Sequence, residues 1–299
     1  MDAGACDRTG HDIHMSDVYF RLAANLHQQV EPVAAVMRKA NELMVPVRRI
    51  AERKRVVGES FERATAWVMS LAVLNRPVDI QAIHAATRSL FEIAVDMVIL
   101  HNDTSDKSAE LLTLWEDSQR LKAAEEYVRY LKRAKGRIPA PAYVRLADFA
   151  QSAAPKIEAH RREKWNGRST HRERWRSDGS LLDDVFVADA NRCECWKQKD
   201  SSFEEVYAER MNTLNWLTHG SGNTALRGQD GTDPHNVAAL RDALWSAELC
   251  LKIAAHEFPA VFSDGAVVTL LMQVTQRIAM LNREGSNGDA DEDDKPKEV

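Results

Sequence analysis

Apolar residues recur at three- and four-residue spacing along almost the whole chain, which is the mark of amphipathic helices. Ser16 or Asp17 caps a first helix expected to reach Leu43, with Pro32 kinking it and Pro46 ending it. A second helix is expected from Val47 to Leu74 and opens on the basic cluster Arg48, Arg49, Arg53, Lys54 and Arg55. Pro77 and Asp79 open a third, to Leu100. Ser105 begins a fourth that runs to Lys135, where Gly136 stops it, and Pro139 and Pro141 start a fifth, to Lys164. From Trp165 to Ser180 the pattern fails and predicts a loop, followed by a short helix from Leu181 to Ala190. Ser202 caps a helix from Phe203 to His219, and a glycine-rich loop follows from Gly220 to Gly231. Asp233 and Pro234 open a long helix to Phe258 or Phe262, and Asp264 caps the last one, to Asn282.

No strand-like alternation extends beyond four residues, and no repeat of fixed period is present. The expected fold is all-α: a single bundle of six to eight helices with a long basic loop around 165–200. The expected organisation is a disordered N-terminal segment over 1–16, a helical domain over 17–283, and an acidic disordered tail over 284–299. Helical periodicity begins only near Asp17, so Met15 offers an alternative start.

Composition supports this reading. With 13 glycines and 9 prolines in 299 residues, the chain is too poor in turn formers for an all-β protein. A domain of this length buries roughly 75% of the surface its unfolded chain exposes, so it needs no disulfide or metal staple. Four cysteines do not make a disulfide framework in so long a chain. The first fourteen residues hold no apolar signal region, and no apolar stretch is long enough to span a bilayer. A cytoplasmic, reduced protein is expected.

Charge is unevenly placed. The net charge is −5, and residues 284–299 carry seven acids and two lysines, which account for all of it. A near-neutral body argues against a dedicated duplex-DNA binder.

Three groups of residues could carry chemistry. In the third helix Gln81, His84, Arg88, Glu92 and Asp96 fall within a stripe about 120° wide on an otherwise apolar helix. One reading makes it a solvated face or a structural ion pair. The other makes it a polar pocket, with Glu92 or Asp96 as acid–base or metal ligand and Arg88 as an anion clamp. The second group is Asn212, Asn215 and His219, on a helix whose end His219 either caps or uses to line a binding rim. The third is the segment from Arg145 to Arg176, with nine Lys or Arg against four acids and with Trp165, Trp175, His160 and His171 interleaved. Arg168, Arg172, Arg174 and Arg176 beside Trp165 and Trp175 suit single-stranded nucleic acid, where rings stack bases and cations take phosphates. A solvated loop whose tryptophans pack on the bundle is the other reading. Cys193 and Cys195 lack a second cysteine pair, so no metal is expected there, and no cofactor motif occurs elsewhere.

The helix Arg88-Ser-Leu-Phe-Glu92, the polar loop Trp165-Asn-Gly-Arg168 and the helix end Thr218-His219-Gly220-Ser221 resemble a bacterial all-helical family known only as a domain of unknown function. The likeness covers roughly residues 65–260 and departs at the loop, which is longer and more basic here. It implies that Arg88, Glu92 and His219 belong to one site. There is also a distant likeness to helical prokaryotic ribonuclease domains of defence and toxin systems. Their signature is an arginine followed four to six residues later by a histidine. Here Arg210 precedes His219 by nine, while Arg8 and His14 fit the count. The expected function is therefore binding, within a stress or defence system, with single-stranded nucleic acid or a partner protein as ligand. The alternative is a metal-independent ribonuclease using His219 as acid–base, with Arg88 and Glu92.

Overall fold

The computed structural model describes residues 9–49, 51–74, 79–102, 107–133 and 234–276, with isolated helical residues between 145 and 155. Within these the helices are α1 (Thr9–Met44), α2 (Glu52–Leu71), α3 (Ile80–Asn102), α4 (Lys107–Arg133), α5 (Pro234–Glu257), the single turn α6 (Pro259–Phe262) and α7 over 265–276. Among the described residues there is no strand, so the all-α expectation holds. None of these helices is long and apolar enough to cross a membrane.

The chain divides into two compact units, one of 1–98 with 195–299 and one of 99–194. The division falls inside α3, where periodicity continues unbroken, because periodicity marks a helix and not the core it joins. The first helix also differs from expectation: it starts at Thr9, not near Asp17. Residues 9–16 hold only two large apolar side chains, Ile13 and Met15, two apart, which gives no helical spacing to read.

In the first unit α1, α2 and α5 pack on one another, with α6 against α1 and α5. Buried side chains on α2 recur as Val57, Phe61, Ala64, Thr65, Val68 and Leu71, one stripe of a 3.6-residue helix. Met37 and Met44 of α1 and Leu240 and Ile253 of α5 are buried as fully. The Phe61 ring stands edge-on to Phe262 of α6, centroids 6.4 Å apart.

Polar contacts at the helix ends fix how α1, α2 and α5 meet. His27 Nε2 lies 3.1 Å from the Leu71 carbonyl and 3.0 Å from that of Leu74, so α1 brings a ring nitrogen to the carbonyls at and just beyond the end of α2, where the Leu71 carbonyl also accepts the Leu74 amide. Residues 45–49 form the turn that reverses α1 into α2, and α2 starts at Ala51 with no side-chain cap. The basic cluster seen in the sequence sits here, at a positive helix pole that does not favour it. Acids offset it: Arg48 pairs with Glu62, and Arg55 with Glu52 at 2.5 Å and Glu59 at 2.7 Å. Arg53 reaches Glu257 at the end of α5, 2.6 Å away, and Lys54 lies over the Phe258 ring. Helix α2 therefore runs antiparallel to both α1 and α5.

Gly58 is required in mid-helix by this arrangement. A Cβ there would stand 2.9 Å from Arg48 Cβ and 3.0 Å from its Cδ. The Arg48 side chain crosses α2 at the one position without a side chain and reaches Glu62 beyond it.

At the end of the bundle, Asp264 caps α7 as expected, its Oδ1 accepting the Ala266 amide at 2.9 Å.

Two outcomes are expected. Gly58→Ala should lower the melting temperature, although alanine is the better helix former by about 1 kcal/mol, because the clash is with a Cβ that cannot move alone. A melt at or above the wild-type temperature would show that Arg48 gives way freely. Arg53→Ala should destabilise by about 1.5–3 kcal/mol, the range for hydrogen bonds to charged groups, measured by denaturant unfolding.

Candidate functional site

Helix α3 carries the polar stripe singled out in the sequence. It packs on α5: the Thr87 hydroxyl bridges the Ile83 carbonyl of its own helix at 2.9 Å and the Ala239 carbonyl of α5 at 3.1 Å. One turn further along, the Phe91 ring faces Trp245, centroids 6.4 Å apart. Both contacts advance in the same direction along the two chains, so α3 and α5 run parallel.

The structure divides the stripe. Gln81 is exposed, and Arg88 and Glu92 are each about one-third exposed. His84 and Asp96 are buried, at 1% and 3%. The physical reason is twofold. His84 lies at the edge of the stripe that turns inward, beside Thr87 and Phe91 on the helical wheel. Asp96 lies where burial is complete all round, since every residue from 93 to 98 is buried.

Arg88 donates from Nε to Glu92 Oε1 at 3.0 Å, the i,i+4 pair expected from the spacing. Among the described residues its two terminal nitrogens make no further hydrogen bond. The guanidinium is thus fixed at one edge and offers the donor pair that suits phosphate or carboxylate oxygens. Glu92 acts on Arg88 as its acceptor.

Buried polar groups on α5 complete the picture. Asp242 and Ser246 are fully buried one turn apart, and Asn236 nearly so. The Ser246 hydroxyl donates to the Asp242 carbonyl at 2.8 Å, which satisfies it locally. The sequence reading passed over this pair. Its signal was a polar i,i+4 step inside the apolar stripe that holds Ala239, Ala243, Ala247 and Cys250.

Cys250 is buried and reduced. Burial pushes its thiol well above the ordinary range, and the negative charge of Asp96 pushes the same way. A thiol held protonated is no nucleophile.

Of the residues expected to form a site, Arg88 and Glu92 are brought together. His219, Arg168, Arg172, Arg174, Arg176, Trp165 and Trp175 lie outside the described residues, as do Asn212, Asn215, Cys193, Cys195 and the acidic tail. Compared with known proteins, the chain matches no family model, no curated protein and no solved structure.

Two measurements check this geometry. Glu92→Ala should cost at most about 1 kcal/mol, the worth of an exposed ion pair; a loss of several would mean Arg88 is left buried and unpaired. The thiol of Cys250 makes a second, pH-dependent prediction. Its raised pKa contributes stability in full below about pH 8.5, the ordinary cysteine value. Above that the unfolded chain loses a proton that the folded chain keeps, so stability falls by up to about 1.4 kcal/mol per pH unit. Denaturant midpoints taken from pH 8 to 10 should show this fall, and Cys250→Ala should remove that component.

Proposed function

We propose that this protein acts by binding single-stranded nucleic acid, with Arg88 as a phosphate clamp. The observation that carries the reading is the Arg88–Glu92 pair: a one-third-exposed guanidinium, fixed through Nε, on a helix that is otherwise largely buried. A rigid support lowers the ordering cost of each phosphate contact. The sequence adds the basic, tryptophan-bearing stretch around Arg168–Arg176, whose composition suits the same ligand. A stress or defence setting follows from the distant likeness to helical prokaryotic ribonuclease domains, and a partner protein is the competing ligand.

Anisotropy of a labelled single-stranded RNA in low salt tests the reading. Arg88→Ala should weaken binding about tenfold, the loss of one charged hydrogen-bonded contact. Arg88→Lys should recover only part, since an ammonium cannot reproduce the two-nitrogen fork. Absence of RNA binding by the wild type would overturn the proposal. Scission of the RNA in the presence of EDTA, abolished by His219→Ala, would replace it with the ribonuclease reading.

A further inference from the structure

Arg88 has a counterpart across the seam between α3 and α5. Two contacts fix how these parallel helices lie: Thr87 on the Ala239 carbonyl, and the Phe91 ring on Trp245. Arg88 is one residue beyond Thr87 and three before Phe91. Arg241 is two beyond Ala239 and four before Trp245. By either contact the two arginines stand level to within one residue's rise, about 1.5 Å.

They also stand on the same side of the seam. Arg88 lies about 100° from Thr87 in the sense in which α3 winds, past Phe91 at about 40°. On α5, Trp245 lies about 120° from Ala239 against the winding, and Arg241 about 40° beyond it. In parallel neighbours those opposite senses turn to the same side, which is why Phe91 meets Trp245 there. Helix axes in contact lie about 8–10 Å apart, so two long side chains that start at one level can reach one short stretch of ligand.

Arg241 is exposed, and among the described residues no carboxylate holds it. The residues a turn away on its own helix, Val237, Ala238, Leu244 and Trp245, are all uncharged. Of the two acids that follow it on α5, Asp242 is buried and Glu248 is engaged by Lys252 at 2.8 Å. Arg88 keeps its two terminal nitrogens, since Glu92 takes Nε. Two guanidinium groups side by side repel each other, and anions set between them relieve that repulsion. A single strand carries its charges at short, regular intervals, and a positive groove tracks them.

We propose that Arg241 is a second phosphate-contacting residue of the Arg88 site, so that a single strand crosses the α3–α5 seam with two neighbouring phosphates held, one by each arginine. This rests on the reading of the chain as a single-strand-binding protein and adds the path of the strand to it.

The full chain is titrated with labelled oligouridylate over a range of salt. Arg241→Gln should weaken binding about tenfold, the loss of one charged contact, and lower the slope of log affinity against log salt by about 0.7. Arg88→Ala should do the same, and the double variant should lower the slope by about 1.4. Arg38→Gln removes an exposed cation from α1 and should leave affinity and slope near those of the wild type. An oligouridylate with alternating neutral methylphosphonate linkages offers no two neighbouring charges, so wild type and Arg241→Gln should bind it equally. Circular dichroism and melting confirm that each variant is folded. If the wild type binds no RNA, the functional reading fails and this inference with it. If the wild type binds and Arg88→Ala weakens it, while Arg241→Gln binds as wild type, the inference alone is overturned. A loss in Arg38→Gln equal to that in Arg241→Gln also overturns it, because the strand would then respond to net charge and not to the seam. So does an undiminished loss in Arg241→Gln on the alternating strand, because the two contacts would not be neighbours.

Discussion

Burial of α3 is the constraint from which the first unit follows. From residue 93 to 98 the helix is buried on every side, so each polar atom it carries inward must be satisfied by protein. The Thr87 hydroxyl does this with a single proton shared between a carbonyl of its own turn and one of α5. Asp96 goes in with its last turns, close enough to raise the Cys250 thiol by its charge. Only where α3 meets the surface can it carry a polar pair with exposure to spare, and there Arg88 and Glu92 sit. The candidate site is therefore an outcome of packing as much as of residue type.

The same economy governs the helix ends. Helix α2 lacks a side-chain cap and begins among five cations, an arrangement that its own dipole opposes. Glu52, Glu59, Glu62 and Glu257 engage three of these cations, Arg48, Arg53 and Arg55, and Glu257 does so from the far end of α5. At the opposite end of α2, His27 lies within hydrogen-bond distance of the Leu71 and Leu74 carbonyls, beside the Leu74 amide that also serves Leu71. The Arg53–Glu257 pair joins α2 to α5 and His27 joins α1 to the end of α2, so these polar contacts also fix helix order and direction, which apolar contacts alone specify loosely.

Helix positions were legible because a 3.6-residue period survives in single residues: Phe61, Ala64, Val68 and Leu71 announce one face without any neighbour being known. Asp264 as a cap was legible for the same reason, being local. What periodicity cannot show is the surroundings of a face. The stripe from Gln81 to Asp96 was visible as polar, but whether it faced water depended on what covers each turn, and the answer differs between Glu92 and Asp96 four residues later. Asp242 was missed because an acid on an apolar face reads as solvated until the partner helix is placed. The division of the chain within α3 left no mark at all, since both units draw on one continuous helix.

Counting cations is a poor guide to nucleic-acid binding here, and the structure shows why. Net charge says nothing, because the acidic end of the chain masks the neutral body. Local clusters mislead in the other direction. Five cations at the start of α2 form the densest run within the described helices, yet Arg48, Arg53 and Arg55 are each taken by a carboxylate and Lys54 lies on a phenylalanine ring. A cation already engaged would have to exchange that partner for a phosphate, and the gain is the difference between the two. The quantity that predicts affinity for a polyanion is the charge left after internal pairing.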